Sequence, residues 1–250
     1  MHRPSIKLAP TGAALSAALA LTACGSVVDH KPNLIAGKDA FQKKCGSCHI
    51  LARAGTKGIQ GPNLDEAFRQ SLADGIERST VRGVVARQIE EPNRAAQVDP
   101  ATEKELIVMP KDLVKGQELE DVAAYVASAV SKSGEDPGRL ASVGKITSKG
   151  TAKEAGGKLD IPANPDGQLA YEYADAEATA GQVTIESKND SSTGHNIAVE
   201  GNGLSTTAGK IVQGGAVSSV QVTLKPGTYT FFCTVPGHRA GGMEGKITVK

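Results

Sequence analysis

The sequence contains few aromatic residues, few sulfur-containing residues and no long apolar run. Only 3% of its 250 residues are aromatic and none is Trp, so a core must be built mainly from aliphatic side chains. Its 28 basic and 27 acidic residues leave a formal charge of +1, which gives no basis for nucleic-acid binding. The only apolar stretch, Ala13–Ala23, is too short to span a bilayer. These absences exclude a nucleic-acid clamp and a multi-pass membrane protein.

The residues that bind metals and carry redox chemistry are correspondingly rare. The chain has four Cys, five His and three Met, and almost all of them fall into short patterns. Its length allows one large domain or two small ones. The patterns occur in two separate parts of the chain, which favours two domains.

The N-terminus has the features of an export signal. Arg3 and Lys7 precede a short apolar stretch, and residues 1–23 are predicted to be a lipoprotein signal peptide. The sequence Leu-Thr-Ala-Cys ending at Cys24 resembles a bacterial lipobox, which implies that Cys24 is lipidated and that residues 24–36 form a tether. An ordinary signal with a chance Cys, or a short buried helix, are the alternatives. A lipid anchor would place the protein on the outer face of the cytoplasmic membrane.

Cys45, Cys48 and His49 form a C-x-x-C-H motif, the attachment pattern of haem c. Each of the two thiols can add to a haem vinyl group, and the adjacent His can then coordinate the iron as proximal ligand. A thioredoxin-like dithiol, half of a zinc site and a structural disulfide are the competing interpretations. A zinc site needs more Cys or His ligands than this region offers, and a dithiol does not require the His.

Met109 is the candidate for the second axial ligand of the iron. It lies sixty residues after His49, is followed by Pro110 and precedes a predicted helix over Gln117–Val130. Met/His ligation raises the haem potential and closes the iron to other ligands. The alternative is that Met109 only fills a gap in the core, as a single Met usually does.

Residues 37–133 resemble a class I cytochrome c. The resemblance rests on a first helix containing Phe41, the C-x-x-C-H motif, the sequence Gly-Pro-Asn-Leu that includes Pro62, the Met109-Pro110 loop and a last helix with Tyr125. It implies an all-α domain. It also implies that the Pro62 carbonyl accepts a hydrogen bond from His49, which would orient the ring and raise its basicity as a ligand.

A change of pattern separates this region from the rest of the chain. Residues 134–165 are polar and Gly-rich, and we predict an exposed linker there. From residue 166 the pattern changes to short alternating segments with Gly-rich turns, typical of an all-β sandwich over 166–250. The predicted strands are Leu169–Tyr173, Gln182–Glu186, Val217–Leu224, Thr228–Cys233 and Lys246–Val249.

The last predicted hairpin carries a C-x4-H-x4-M pattern formed by Cys233, His238 and Met243, and His195 lies upstream. One Cys, two His and one Met are the ligands of a type 1 blue-copper site, in which Met is a weak axial ligand. Taken singly, each residue has an ordinary structural explanation, because a lone His is usually a surface or core residue and a free Cys a small hydrophobe. All four at this spacing indicate copper.

Residues 166–250 resemble cupredoxins, and their ligand loop is most similar to those of azurins and auracyanins. The resemblance implies a Greek-key sandwich. It further implies that Asn196 hydrogen-bonds the ligand loop near Cys233 and that the Gly194 carbonyl approaches copper weakly from the side opposite Met243. The sequence departs from azurins in lacking the disulfide near the start of the domain.

These patterns predict a membrane-tethered electron carrier with one haem c and one copper, and not an enzyme. It would relay single electrons in respiration or photosynthesis. The donor would be a quinol-oxidising complex or a dehydrogenase, and the acceptor a terminal oxidase or reductase. An electron-entry subunit of a fixed oxidase or reductase complex is the alternative, and a redox sensor or copper store is a third class. Contact between the domains is expected near Pro236–His238 and Cys48.

Overall fold

Helices make up the first part of the described chain and strands the second. The computed structural model describes residues 31–92 and 108–250. The predicted signal peptide, Cys24 and the first part of the tether lie outside the described residues. Among the described residues, no helix combines the length and apolar composition needed to cross a membrane.

The helical part contains five α-helices and one small hairpin within the described residues. A side-chain cap begins the first helix, since the Asn33 carboxamide oxygen accepts from the amides of Ile35 and Ala36. The elements are α1 (Leu34–Lys44), β1 (Ile50–Leu51), β2 (Thr56–Lys57), α2 (Leu64–Ala67), α3 (Arg69–Ala73), α4 (Arg78–Glu90) and α5 (Gly116–Ala129).

The first and last helices pack closely and form the centre of this part. A Cβ atom at Gly37 of α1 would collide with the carbonyl of Asp121 in α5, so only glycine permits this approach. One turn further along, the rings of Phe41 and Tyr125 meet with centroids 6.4 Å apart. Both rings are fully buried, in a core whose other buried members are Cys45 and Val, Leu, Ile and Ala side chains.

The second part is a two-sheet sandwich. A larger sheet has the strand order β3-β5-β11-β10-β7-β8, and a smaller sheet has the order β4-β6-β9. The strands are β3 (Thr151–Lys153), β4 (Lys158–Asp160), β5 (Asp175–Ala178), β6 (Gly181–Asn189), β7 (Ala198–Gly201), β8 (Leu204–Ala208), β9 (Ala216–Leu224), β10 (Gly227–Phe232) and β11 (Glu244–Val249).

Alternating side chains explain why the two sheets face each other. Every second residue of the antiparallel pair β6 and β9 is buried, for example Val183, Ile185, Val220 and Val222. Residues of the larger sheet such as Phe231 pack into the same core. An all-α part followed by an all-β sandwich is the fold class that the sequence predicts, and the structure confirms it.

The predicted linker over 134–165 is wrong in its second half. Strands β3 and β4 lie within it, and they pair in parallel with β5 and β6 in the two different sheets. Its first half is not simply exposed either, because the Asp136 side chain is buried against Lys38. The connection is therefore built into both parts of the molecule.

The predicted strand over Leu169–Tyr173 is also wrong. Tyr171 makes only an isolated bridge to Ala163. The alternation of apolar and polar residues in this segment reflects the packing of Tyr171. Its ring packs edge-on against Phe231 with centroids 5.2 Å apart, and its hydroxyl donates to the Asn196 carbonyl. The remaining predicted strands coincide with β6, β9, β10 and β11 to within a few residues.

Candidate metal centres

A tight turn at the end of α1 presents the first candidate site. The amides of Cys48 and His49 both donate to the Cys45 carbonyl, at 3.1 and 3.0 Å, so the three motif residues lie on one turn of chain. Cys45 is buried against the helical core, whereas Cys48 and His49 are partly exposed. Two thiols and an imidazole on one turn, with one face towards the core, fit covalent attachment of haem c.

The orientation of His49 is set by the loop before α2. Its Nδ1 lies 3.0 Å from the Pro62 carbonyl oxygen, the contact that the resemblance implies. Because a carbonyl can only accept, Nδ1 must carry the proton, which leaves the lone pair of Nε2 free for iron. Burial lowers the pKa of His49, and the bond to Pro62 partly opposes this shift. The ring is therefore neutral and ready to act as a ligand near pH 7.

Gly61 is a site residue to which sequence reasoning assigned no role. A Cβ atom there would lie 2.7 Å from His49 Nδ1 and closer still to Cε1. The glycine backbone therefore forms one wall of the imidazole position. Its place directly before Pro62 is the signal that could have identified it.

Met109 is partly buried and packs against the helical core. It follows residues 93–107, which lie outside the described residues. Its role as axial ligand of the iron stays a prediction.

The second candidate site lies at one end of the sandwich. Cys233 directly follows β10 and Met243 directly precedes β11, and the Cys233 amide donates to the Met243 carbonyl. Within the connecting loop, the amide of Met243 donates to the carbonyl of His238. His195 is held beside this loop by two backbone hydrogen bonds with Val212.

Three of the four predicted copper ligands converge on one point. The ligand atoms of His195, Cys233 and His238 all lie within 4.8 Å of one another. The two Nδ1 atoms are 3.2 Å apart, and Cys233 Sγ lies 3.5 Å from His238 Nδ1. All three residues and Met243 are buried. Within the part of the chain that the structure describes, this is the one such group of potential metal ligands.

The protonation states suit a metal with nitrogen and sulfur ligands. Burial lowers the pKa of both imidazoles to about 4, and for His195 the nearby His238 adds to the shift. Both rings are therefore neutral near pH 7. Burial raises the pKa of the Cys233 thiol, against backbone hydrogen bonds that lower it. A His₂Cys donor set fits type 1 copper, whose binding would displace the Cys233 thiol proton to solvent and leave a thiolate ligand.

Asn196 supports the ligand loop, as the resemblance implies. Its carboxamide nitrogen donates to the Thr234 hydroxyl and its oxygen accepts from the Thr234 amide, both at 2.8 Å. These bonds join the residue after His195 to the residue after Cys233. Gly194 adjoins the site in sequence, and its carbonyl contribution to copper stays a prediction.

The loops beside the two candidate sites are in contact. The Gln60 side chain donates from Nε2 to the Pro236 carbonyl at 2.6 Å. Ile59 lies so close to Gly237 that a Cβ there would be 3.1 Å from Ile59 Cγ1. Pro32–Lys250 form a single compact unit, so both parts belong to one body. The expected contact near Pro236–His238 is present, but sequence reasoning missed both Ile59 and Gln60.

Comparison with known families agrees with both sites. Residues 34–129 match the cytochrome c family model, and residues 162–250 match the model of copper binding proteins of the plastocyanin/azurin family. Each match covers less than half of the chain. The first family implies haem c and the second implies copper as cofactors. No curated protein matches the chain.

Solved structures similar to the chain include two auracyanins and an amicyanin. A dithionite-reduced auracyanin from Roseiflexus castenholzii is 27% identical, with a TM-score of 0.35, over 39% of this chain and 99% of its own. Auracyanin B is 23% identical, with a TM-score of 0.33, over 42% of this chain and 91% of its own. The Cu(I) form of an amicyanin mutant is 20% identical, with a TM-score of 0.30, over 38% of this chain and 85% of its own.

Proposed function

We propose that this chain, a cytochrome c domain joined to a cupredoxin domain, is a lipid-tethered relay for single electrons outside the cytoplasmic membrane. When bound, haem iron and copper each gain or lose one electron, and no substrate is converted. The observation that carries the proposal is the presence of a haem-attachment turn and a buried His₂Cys cluster on the same folded chain.

The residues around each site perform the protein's share of this task. In the cytochrome c domain, Cys45 and Cys48 would attach the haem covalently, and the Pro62 carbonyl fixes the His49 ring. Fixed ligands change little between oxidation states, so an electron can arrive or leave with little rearrangement.

The copper ligands are held in the same rigid way. His195, Cys233 and His238 are buried between the ends of packed strands, with Asn196 linking the two segments that carry them. Burial keeps water and small molecules away from the metal, which favours an electron carrier over an enzyme that binds substrate there.

The partners we propose are redox proteins. A quinol-oxidising complex or a dehydrogenase would supply electrons, and a terminal oxidase or reductase would accept them. Rapid reduction of the purified protein by a soluble donor, without product formation, supports a free carrier. Purification in fixed ratio with an oxidase would instead indicate an electron-entry subunit.

Absorption spectra of the exported full-length protein, oxidised and reduced, test the cofactors. We expect c-type haem bands together with an intense thiolate-to-copper band. Cys233→Ser should abolish the second band and leave the first unchanged, because the charge transfer needs the thiolate. A blue band that persists in this variant overturns the copper site.

The axial Met and the tether have separate tests. Met109→Ala should lower the haem potential and let the reduced protein bind carbon monoxide, since the thioether both favours Fe(II) and fills the position. An unchanged spectrum contradicts that ligand. Cys24→Ser should release the protein from membranes or leave it unprocessed, with Cys233→Ser as a control that stays bound.

A further inference from the structure

The contact between the two domains places one side chain between the two sites. Gln60 follows β2 and precedes Gly61, on the loop that positions His49. Its Oε1 lies 3.5 Å from Cys48 Sγ, and its Nε2 donates to the Pro236 carbonyl at 2.6 Å. With haem attached, the Cys48 sulfur belongs to a thioether and has no proton to donate. Its approach to Gln60 Oε1 is therefore a van der Waals contact, whereas the bond from Gln60 Nε2 to Pro236 is a hydrogen bond.

We propose that Gln60 is a positioning residue that holds the haem-bearing Cys48 against the copper ligand loop, so that electrons cross between the domains along a fixed route. The inference rests on the proposed function. A single electron would pass from ferrous haem to cupric copper, leaving ferric haem and cuprous copper. The step balances with no proton and no further reactant.

The route through Gln60 is short and almost wholly bonded. It runs from Cys48 Sγ through the Gln60 carboxamide to the Pro236 carbonyl, and then along two residues of backbone to His238. Electronic coupling decays less along covalent and hydrogen bonds than across empty gaps. Its one non-bonded step is the 3.5 Å contact at Cys48.

The other polar contacts described between the two parts do not involve Cys48. Lys43 and Asp166 form an ion pair at 3.2 Å across the boundary, but both side chains are more than a third exposed. Pairs of this kind contribute little in water. Gln168 also donates to the Gly144 carbonyl, but this bond does not involve Cys48. Alignment of Cys48 with the copper loop therefore depends on Gln60 and on the fit of Ile59 against Gly237.

The experiment measures electron transfer in the full-length protein after flash reduction of the haem. In the parent, copper reduction should follow at a rate independent of protein concentration. Gln60→Ala, and the isosteric Gln60→Glu that cannot donate, should slow this rate at least tenfold. Both absorption spectra should stay unchanged in both variants, and both midpoint potentials should stay unchanged in Gln60→Ala, which adds no charge. Gln70→Ala is the matched control, because Gln70 is exposed and its carboxamide donates to Asp74 just after α3, with no other side-chain hydrogen bond among the described residues.

A structural readout separates positioning from other causes. Electron paramagnetic resonance of the dipolar interaction between ferric haem and cupric copper gives the distribution of distances between them. This distribution should broaden in Gln60→Ala and not in Gln70→Ala. A Gln60→Ala rate within twofold of the parent, or an unchanged distribution, overturns the inference. A parent rate that rises with protein concentration also overturns it. Absence of either cofactor band overturns the proposed function itself.

A second variant tests the same contact from the copper side. Gly237→Ala places a methyl group against Ile59 and should also slow the transfer. Gly203→Ala is its control, since both glycines have φ of +82° but Gly203 faces open space. Adding Ile59→Ala to Gly237→Ala should restore the rate. If Gly237→Ala and Gly203→Ala behave alike, the close fit has no role in the transfer.

Discussion

Replacing Asp136 with Asn should destabilise the cytochrome c domain by about 3 kcal/mol. The Asp136 carboxylate lies 3.0 Å from Lys38 Nζ and 3.7 Å from an Arg53 nitrogen, and it accepts from the Tyr125 hydroxyl at 2.8 Å. The Lys38 and Asp136 side chains are only 5% and 2% exposed. Water therefore cannot solvate the Lys38 ammonium once its partner is neutral.

The magnitude follows from the burial of this pair. Removing one charge of a buried ion pair costs about 3–5 kcal/mol because the other charge stays buried. Asn retains an oxygen that can accept from Tyr125, and Lys38 keeps its bond to the Leu140 carbonyl. The expected cost thus lies at the lower end of that range.

An exposed ion pair within α1, the helix that carries Lys38, provides the control. Asp39 pairs with Lys43 at 2.9 Å, but these side chains are 46% and 38% exposed. Exposed pairs contribute about 0.2–1 kcal/mol, so Asp39→Asn should cost no more than that. Urea unfolding of both full-length variants, followed by circular dichroism in the haem region, measures the free energies. Equal costs for the two variants would refute the reasoning.

Two further predictions concern Tyr125 and Gly61. Burial, followed by the hydrogen bond to Asp136, raises the pKa of Tyr125 above its ordinary value of 10.0. Above that pH the unfolded chain loses the phenol proton while the folded domain keeps it, so the free energy of unfolding should fall as pH rises. Tyr125→Phe should make this decrease in the free energy of unfolding smaller. Identical pH profiles of the parent and Tyr125→Phe in urea unfolding would contradict the prediction. Gly61→Ala should displace His49 and reduce haem attachment, measured as haem per exported protein, whereas Gly83→Ala in α4, which faces open space, should not. Full attachment in Gly61→Ala would show that the loop can yield.

The candidate copper site could be predicted because most of its residues are local in sequence. Cys233, His238 and Met243 lie on one loop, so their spacing alone carries the pattern. The haem-attachment turn is local for the same reason. By contrast, Gln60 and Pro236 are 176 residues apart, and no spacing can indicate such a pair. Their contact depends on how two folded surfaces fit.

The connecting segment could not be predicted because its strands are too short to show a period. β3 and β4 each bury one side chain, Ala152 and Leu159, between two exposed neighbours. The glycines between them suggested flexibility. Gly156 and Gly157 instead have φ of +60° and +79°, which glycine adopts without strain, and the chain turns there from one sheet to the other.

The position of β3 and β4 determines where the copper domain can be separated from the rest of the chain. Each is the outermost strand of its sheet, covering β5 on one side and β6 on the other. A copper domain started at residue 166 would lack both strands and would expose the unpaired backbone of the nine-residue β6. Such bare edges recruit strands from other chains and promote aggregation. The segment that joins the domains thus also protects the second one, and a separately produced copper domain should start before Thr151.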